Sequence, residues 1–254
     1  MKHFCNGLNT FLFLIFVTTC IQGCDLLGGK STNFNGGTRL VLTPENSNGQ
    51  KTTNSILEQT VNVINLRLDN YGIRNKDVKI IKDNRIEILI PKVKNIDRVK
   101  NILAQKGCVE LKFVDKTTEN NATSHQNKQS SYPTSNEAIT LETEVLLDNS
   151  MIKDVDLRIS SETNKPYLQL IFNDIGTKKL FEVTSKGIGR RMAIIMDGQI
   201  LGAPVIREAI SGGTAMVTLP FSEEEAKDLQ IVLIAGSYPI KMNILEVSNI
   251  AQPK

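Results

Sequence analysis

Side chains capable of nucleophilic or metal chemistry are scarce in this sequence. Its 254 residues include two histidines, His3 and His125. Ser–His and Cys–His nucleophile systems and His-rich metal sites therefore lack their usual component. Asp154 and Asp156 could pair as general acid and base, because residues two apart share one face of a strand. They alternate with apolar residues, which favours a solvated strand face. We predict no enzyme, no bound metal and no cofactor.

Three further motifs have a functional and a structural interpretation. Glu223–Glu225 lie at a predicted helix N-terminus, where they complement the helix dipole. Gly187-Ile-Gly189 lacks both the dinucleotide-binding spacing and a preceding strand, which indicates a connection. Arg190-Arg191 could contact an acidic partner or lipid head groups, although a solvated strand start is favoured. The formal net charge of +3, with both signs interspersed, does not indicate nucleic-acid binding.

Cys24 is the residue for which the sequence predicts a modification. Met1–Asn9 carries Lys2 and no acidic residue, and the apolar run Phe11–Val17 that follows is too short to span a bilayer. That arrangement is typical of a secretory signal. Ile21-Gln-Gly-Cys24 resembles the lipobox of bacterial lipoproteins, in which the Cys sulfur is acylated and the Cys becomes the new N-terminus. The alternative is a plain secretory signal with a chance cysteine.

The four cysteines are consistent with that interpretation. Cys5 and Cys20 leave with the signal and Cys24 takes the lipid, so Cys108 has no partner for a disulfide. Cys108 begins an apolar stretch and is predicted to be a small buried hydrophobe. Asp25 resembles the residue that retains enterobacterial lipoproteins at the inner membrane. We therefore expect a chain lipid-anchored on the extracytoplasmic side of a bacterial envelope membrane, with the inner membrane favoured.

The mature chain is predicted to be α+β, with two ferredoxin-like β-α-β-β-α-β blocks joined by a polar linker behind the signal peptide. In the first block, Ser55-Ile-Leu-Glu58 predicts a capping box at a helix start, and Cys108–Val114 is the closing strand. In the second, Asp197-Gly198 predicts a tight hairpin, Ser222–Glu225 predicts another capping box, and Ile240–Val247 is the closing strand.

The chain divides by composition into six segments, since polar stretches poor in apolar residues separate the periodic ones. They are a lipoprotein signal peptide (1–23), a flexible tether (24–36), a first block (37–115), a polar linker (116–140), a second block (141–247) and a tail (248–254).

The second block resembles the head of the first periplasmic domain of SecD. The resemblance rests on Asn173-Asp-Ile-Gly-Thr-Lys-Lys-Leu-Phe-Glu-Val-Thr184, Met192-Ala-Ile-Ile-Met-Asp-Gly-Gln-Ile-Leu-Gly-Ala-Pro204, Ile210-Ser-Gly-Gly213, Phe221-Ser-Glu-Glu-Glu-Ala226 and Ala235-Gly-Ser-Tyr-Pro239. The first block resembles the base of that domain through Gly36-Gly37, Asn65-Leu-Arg-Leu-Asp-Asn-Tyr-Gly72 and Arg85–Pro91. Lys92, where the family usually has Gly, and Leu66, in place of one of its paired arginines, depart from the pattern.

The resemblance implies a part in protein export. SecD works with SecF beside the SecYEG channel, and its periplasmic domain is thought to hold and move emerging preprotein. The family's six membrane helices, and the intramembrane residues that couple proton flow, have no counterpart in these residues, so no motor is expected. The expected partners are unfolded preprotein, Sec translocase components (SecYEG, SecF) and the membrane, through the lipid. The alternatives are a structural or surface-interaction lipoprotein that kept the fold but not the export role, and a small-molecule-binding lipoprotein.

Overall fold

A computed structural model describes residues 36–45, 52–115, 139–218 and 221–251. The described residues form eleven strands and four helices within one compact unit, Thr32–Lys254. The predicted signal peptide, the acylated Cys24, the tether as far as residue 35 and most of the predicted linker lie outside these ranges. The α+β class is confirmed, with antiparallel pairing throughout.

The first core, which we call the base, is a four-stranded sheet with two helices. Its elements are β1 (Gly37–Pro44), α1 (Asn54–Tyr71), β2 (Asp77–Ile81), β3 (Arg85–Pro91), α2 (Ile96–Ala104) and β11 (Met242–Ile250). The strand order is β11-β1-β3-β2. In β3, Ile86, Ile88 and Ile90 are fully buried at every second position, as expected for a strand with one face in the core. Leu57, Ile64, Leu68, Val99 and Leu103 of the helices complete this core.

The second core, which we call the head, contains two sheets and two helices. Its elements are β4 (Val109–Phe113), β5 (Leu147–Asp148), β6 (Ile152–Ile159), β7 (Pro166–Phe172), α3 (Asp174–Lys186), β8 (Met192–Met196), β9 (Gln199–Gly202), β10 (Thr214–Thr218) and α4 (Glu223–Ala235). One sheet has the order β5-β4-β8-β9 and the other has the order β10-β7-β6.

The closing strands of the two predicted blocks are exchanged, which corrects the predicted pairing. β4 does not close the base but pairs with β5 and β8 of the head. β11 does not close the head but pairs with β1 of the base, from Gly37 opposite Ile250 to Pro44 opposite Met242. The head is therefore inserted between α2 and the last base strand. Both strands carry ordinary strand patterns, and such a pattern does not name its partner.

Of the local predictions for helix and turn boundaries, some are confirmed and one is wrong. Asn173 caps α3, and Ser222 with Glu225 forms the predicted capping box of α4. The hairpin at Asp197-Gly198 is confirmed, with φ of 49° and 82° as a type I′ turn requires. The predicted capping box at Ser55 is wrong, because Thr53 is the N-cap of α1 and accepts a hydrogen bond from the Ile56 amide. Thr53 enters the helix from extended backbone (φ −106°, ψ 161°), the usual geometry of an N-cap.

Arg67 fastens the place where the chain passes between the two cores. Its guanidinium is fully buried and donates hydrogen bonds to the carbonyls of Ile102, Gln105, Lys106 and Gly236, at 2.5 to 3.1 Å. The carbonyls of Ile102 and Gln105 lie at the C-terminal end of α2. Those of Lys106 and Gly236 lie in the two segments that connect the base and the head. The guanidinium also stacks 4.0 Å from the centre of the Tyr238 ring. One side chain of α1 therefore holds both connections together.

A second arginine joins α2 of the base to α4 of the head. Arg98 donates from Nε to both carboxylate oxygens of Asp228, at 3.2 and 3.1 Å, and its terminal nitrogens contact Asp228 and Glu224. Its guanidinium lies 5.4 Å from the centre of the Tyr71 ring. Arg67 and Arg98 thus secure opposite ends of α2 against the head.

Candidate polypeptide-binding surface

The three-stranded sheet of the head has one face in the core and one face turned outward. Pairing places Val155 opposite Leu170, and Leu168 between Leu157 and Val217. Val155, Leu168, Leu170 and Val217 are buried within the head core, to which α4 contributes Leu229, Val232 and Leu233. Since side chains alternate along a strand, the residues between them form the opposite face.

We call that opposite surface the head sheet face. It consists of Asp154, Asp156 and Arg158 from β6, Tyr167, Gln169 and Ile171 from β7, and Thr214, Met216 and Thr218 from β10. Met216 lies opposite Gln169, which in turn lies opposite Asp156. Met216 is 72% exposed, the highest value among the large apolar side chains that the structure describes. The face therefore combines polar groups with one flexible, solvated apolar side chain.

The two edges of this sheet differ in how their backbone is covered. At β6, the Val155 amide donates to Asp154 Oδ1 at 2.8 Å and the Val155 carbonyl accepts from Gln230 Nε2 of α4 at 2.8 Å. The amide and the carbonyl of Val155 are therefore both hydrogen-bonded to side chains. At β10, the pairing found in the described ranges is with β7 alone. An edge of this kind can accept another extended chain by backbone pairing.

The start of β10 is held against α3. Gly213 has φ of +63°, and a Cβ there would lie 2.3 Å from Thr177 Oγ1, so both the conformation and the space require glycine. Ile210 donates its amide to Thr184 Oγ1 at 2.9 Å. Phe181, 48% exposed, lies between Thr177 and Thr184 at helical spacing. The segment that leads into β10 is thus held against Thr177 and Thr184 of α3.

The residues considered for acid–base work have ordinary structural partners. Asp156 pairs with Arg158 at 2.8 Å, and Asp154 accepts from the adjacent Val155 amide. Both carboxylates lie on the head sheet face, as the predicted solvated face requires. In the described ranges, no group of three or more His, Cys, Asp or Glu residues is arranged to hold a metal ion.

The arginine pair is not a solvated strand start, and this prediction was wrong. Arg190 contacts Glu142 at 2.6 Å, donates to the Val114 carbonyl at 3.0 Å and stacks 3.9 Å from the centre of the Phe113 ring. Arg191 Nε donates to the Ala203 carbonyl at 3.0 Å. Both side chains therefore link parts of the head to one another. Their acceptors lie after β4, before β5 and after β9, and a sequence pattern does not indicate them.

The remaining predicted positions are structural or lie outside the described residues. Gly187 and Gly189 form a connection, as predicted, and a Cβ on Gly187 would lie 2.8 Å from the Phe113 ring. Cys108 is partly buried just before β4, and burial raises the pKa of its thiol, which keeps it protonated. Cys24 lies outside the described ranges.

Gly212-Gly213 followed by Thr214–Leu219 in the sequence predicts the strand β10, whereas the exposure of Met216 was not predicted. The available signal was alternation, since Ala215 and Val217 face the core and Met216 falls between them. Arg67 was also missed as a junction residue. Its partners are carbonyls 35 to 169 residues away, and no spacing in the sequence indicates them.

Comparison with known proteins agrees with this architecture. Residues 122–240 match the family described as SecDF, P1 head subdomain, and residues 57–116 match the family described as protein translocase subunit SecDF, P1 domain, N-terminal. A solved structure of a membrane component SecDF that enhances protein export is 28% identical, with a TM-score of 0.65, and the match covers 82% of this chain and 98% of that one. The chain belongs to the family of SecD/SecDF first periplasmic domains.

Relatives of this SecD/SecDF domain are protein translocase subunits. SecD of Calditerrivibrio nitroreducens is 30% identical over 205 residues, which cover 75% of this chain and 40% of that protein. SecDF of Thermus thermophilus is 28% identical over 225 residues, which cover 85% of this chain and 30% of that protein. SecDF in its super-membrane-facing form has a TM-score of 0.70 and is 27% identical, with 84% of this chain and 30% of that one covered. The chain thus spans less than half the length of these curated relatives.

Within the described ranges of this SecD/SecDF domain, no helix is long and apolar enough to cross a membrane.

Proposed function

We propose that this protein is a membrane-anchored, SecD-like lipoprotein that assists protein export by binding preprotein or translocase components, without a proton-coupled motor of its own. Membership of the SecD/SecDF family supports the export role. The lipobox-like sequence ending at Cys24 supports the anchor. The role requires no chemistry from the domain, only a surface on which an unfolded chain or another subunit can be held.

The observation that carries this proposal is the edge of β10 from Thr214 to Val217, which among the described strands pairs with β7 alone and lies beside the head sheet face. A preprotein in transit is extended and exposes its backbone amides and carbonyls. Pairing with an edge strand satisfies those groups without reading the side-chain sequence, as a component that serves many exported proteins requires. Met216 adds a flexible apolar contact that adapts to varied partners.

A photo-crosslinking experiment in living cells tests the proposal. A photoreactive amino acid is placed at Met216 on β10 and, as a matched control, at the exposed Gln59 on α1 of the base. We expect Met216 to crosslink to nascent secreted chains or to SecYEG or SecF, and Gln59 not to do so. Mass spectrometry of the crosslinked bands identifies the partners.

Two results would count against the proposal. Equal crosslinking from both positions would mean that β10 has no particular role. Crosslinks only to envelope or external proteins would favour the alternative, a structural or surface-interaction lipoprotein that kept the fold but not the export role. Exposure of the protein to added protease on intact cells would support that alternative independently.

A further inference from the structure

The start of β1 and the end of β11 lie together at one end of the base. Gly37 pairs with both Ile250 of β11 and Pro91 of β3. α1 ends at the same end of the base sheet, because residues 72–76 lead directly into β2, whose Asp77 pairs with Leu89 near the end of β3. We call the residues 36–37, 72–77, 91–95 and 248–251 the anchor-proximal end.

The anchor-proximal end presents cations that pair with no described carboxylate. Arg74, Lys92 and Lys94 are exposed and form no ion pair with any described residue. Neighbouring cations behave differently, since Lys76 pairs with Asp69 at 2.5 Å and Lys79 with Asp77 at 2.5 Å. The charge left over at this end is therefore positive.

Lys94 also lines an open cleft of about 540 Å³ between the base and α4. Tyr71, Ile73 and Val93 form apolar parts of its wall, and Arg98 and Lys227 add two further cations. The carboxylates nearest to these cations are engaged, because Glu224 and Asp228 contact Arg98 and Glu223 contacts Lys227 at 2.6 Å. Arg98 and Lys227 are thus neutralised, and Lys94 is the one cation of the cleft lining that no described carboxylate pairs with.

The predicted lipid attachment restricts how far the anchor-proximal end can lie from the membrane. Cys24 precedes Gly37 by 13 residues. A fully extended chain of that length spans at most about 45 Å. The anchor-proximal end is the part of the base joined directly to that chain, and the opposite end of β1, at Pro44, lies a further strand length away.

We propose that the anchor-proximal end docks on anionic phospholipid head groups through Arg74, Lys92 and Lys94, with Lys94 at the cleft. The inference rests on the proposed function in one respect, the lipid anchor that brings this end near a membrane. Phosphate groups at the surface of an anionic bilayer attract unpaired lysine and arginine side chains within about a Debye length, ~10 Å at 0.1 M salt. Contact with lipid would hold the domain in one orientation on the bilayer.

Vesicle binding by the unlipidated mature chain, residues 24–254 with Cys24→Ser, tests this proposal. Flotation is measured with vesicles of phosphatidylcholine alone and with phosphatidylglycerol added, at low and high salt. We expect binding only to the anionic vesicles, and its loss at high salt. Replacement of Arg74, Lys92 and Lys94 by Gln should lower the partition coefficient about fivefold per cation, roughly a hundredfold together.

The matched control replaces three exposed cations of the head, Lys153, Lys165 and Arg207, by Gln; none of the three forms an ion pair with a described residue. This variant has the same net charge as the test variant and should bind within about twofold of the parent, because these residues lie outside the anchor-proximal end. Equal losses in both variants, or no preference of the parent for anionic vesicles, would overturn the proposal. If the triple variant does not keep the parent's unfolding midpoint, the single changes Lys92→Gln and Lys94→Gln decide it.

These results are independent of the export role. The assay contains no lipid anchor, no preprotein and no Sec component, so its failure would remove the docking surface alone. Failure of crosslinking at Met216 would remove the export proposal and leave the vesicle result standing.

Discussion

Arg67 is the residue on which the junction between the two cores depends most. A buried guanidinium is costly unless its donors are satisfied, and here the two terminal nitrogens donate to four backbone carbonyls, while Nε has no hydrogen-bond partner among the described residues. Its burial lowers its own pKa, which shows the cost of holding the charge away from water. Its loss would be costly, because the carbonyls of Ile102, Gln105 and Gly236 would lose the donor that Arg67 supplies, and the Lys106 carbonyl would keep only the Tyr238 amide at 2.9 Å.

Arg67→Met is expected to lower the free energy of unfolding by about 3 kcal/mol or more, because it removes at once the four hydrogen bonds of a buried guanidinium. Urea titration followed by circular dichroism measures the change. Arg74→Met, at an exposed arginine close in sequence, should change stability by no more than about 0.5 kcal/mol. Similar values for both variants would show that Arg67 does not secure the junction.

Tyr238 makes the free energy of unfolding depend on pH in the alkaline range. Burial raises the pKa of its phenol to about 12, well above that of an exposed tyrosine. Below about pH 10 both folded and unfolded states hold the proton, and the full stability is present. Above pH 10 the unfolded state ionises first, so stability is lost as the pH rises toward 12, by roughly 2 to 3 kcal/mol.

Tyr238→Phe should flatten this decline, because no proton is then released on unfolding at that position. The free energy of unfolding is measured at pH 9 and pH 11 for the parent and the variant. We expect a smaller difference between the two pH values in the variant. An identical difference in both proteins would mean that the phenol ionises as readily in the folded chain as in the unfolded one.

At the scale of elements, the two hydroxyl residues near the start of α1 differ in their role, because Thr53 caps the helix and Ser55 does not. Thr53→Ala should cost about 1 kcal/mol of stability, since its side chain accepts the Ile56 amide at the helix N-terminus. Ser55→Ala, inside the first turn and exposed, should cost almost nothing. Thermal and urea unfolding of the two variants measure this. A larger loss for Ser55→Ala would restore the capping box that the sequence pattern predicts.

At the scale of the whole molecule, the exchange of β4 and β11 makes the base and the head interdependent. Each core contains a strand or helix whose sequence neighbours lie in the other core, and Arg67 and Arg98 tie the two together. The chain crosses from base to head once and returns once. A surface on β10 is therefore carried by a scaffold whose two ends, at Gly37 and Ile250, lie side by side.

Attachment to the membrane is expected to depend on Cys24. Cys24→Ser should leave the folded domain unchanged and allow a high-salt wash to release the protein from membranes, because two or more acyl chains are needed for stable anchoring. Cell fractionation and circular dichroism of the released protein measure both effects. Tight, salt-resistant membrane association of the variant would mean that the predicted anchor is wrong.

Local patterns in the sequence were sufficient for most of the elements. Alternation in Ile86, Ile88 and Ile90, the capping box at Ser222 and the Asp197-Gly198 turn each act over a few residues. Such signals are set by backbone sterics and nearby hydrogen bonds, so they can be found without knowing the rest of the fold. The family resemblance was also carried by short contiguous motifs, and the comparisons confirm it.

Only the tertiary structure decided which strands pair and which side chains meet. The partners of β11, of Arg67 and of Arg190 lie far away in the sequence, and several strands offer similar apolar faces. The choice among them depends on the combined burial of both cores. Likewise, Met216 is exposed and Val217 buried because β10 lies at an edge beside β7. The sequence by itself determined the elements and the family, while long-range packing determined the surfaces with which the protein can act.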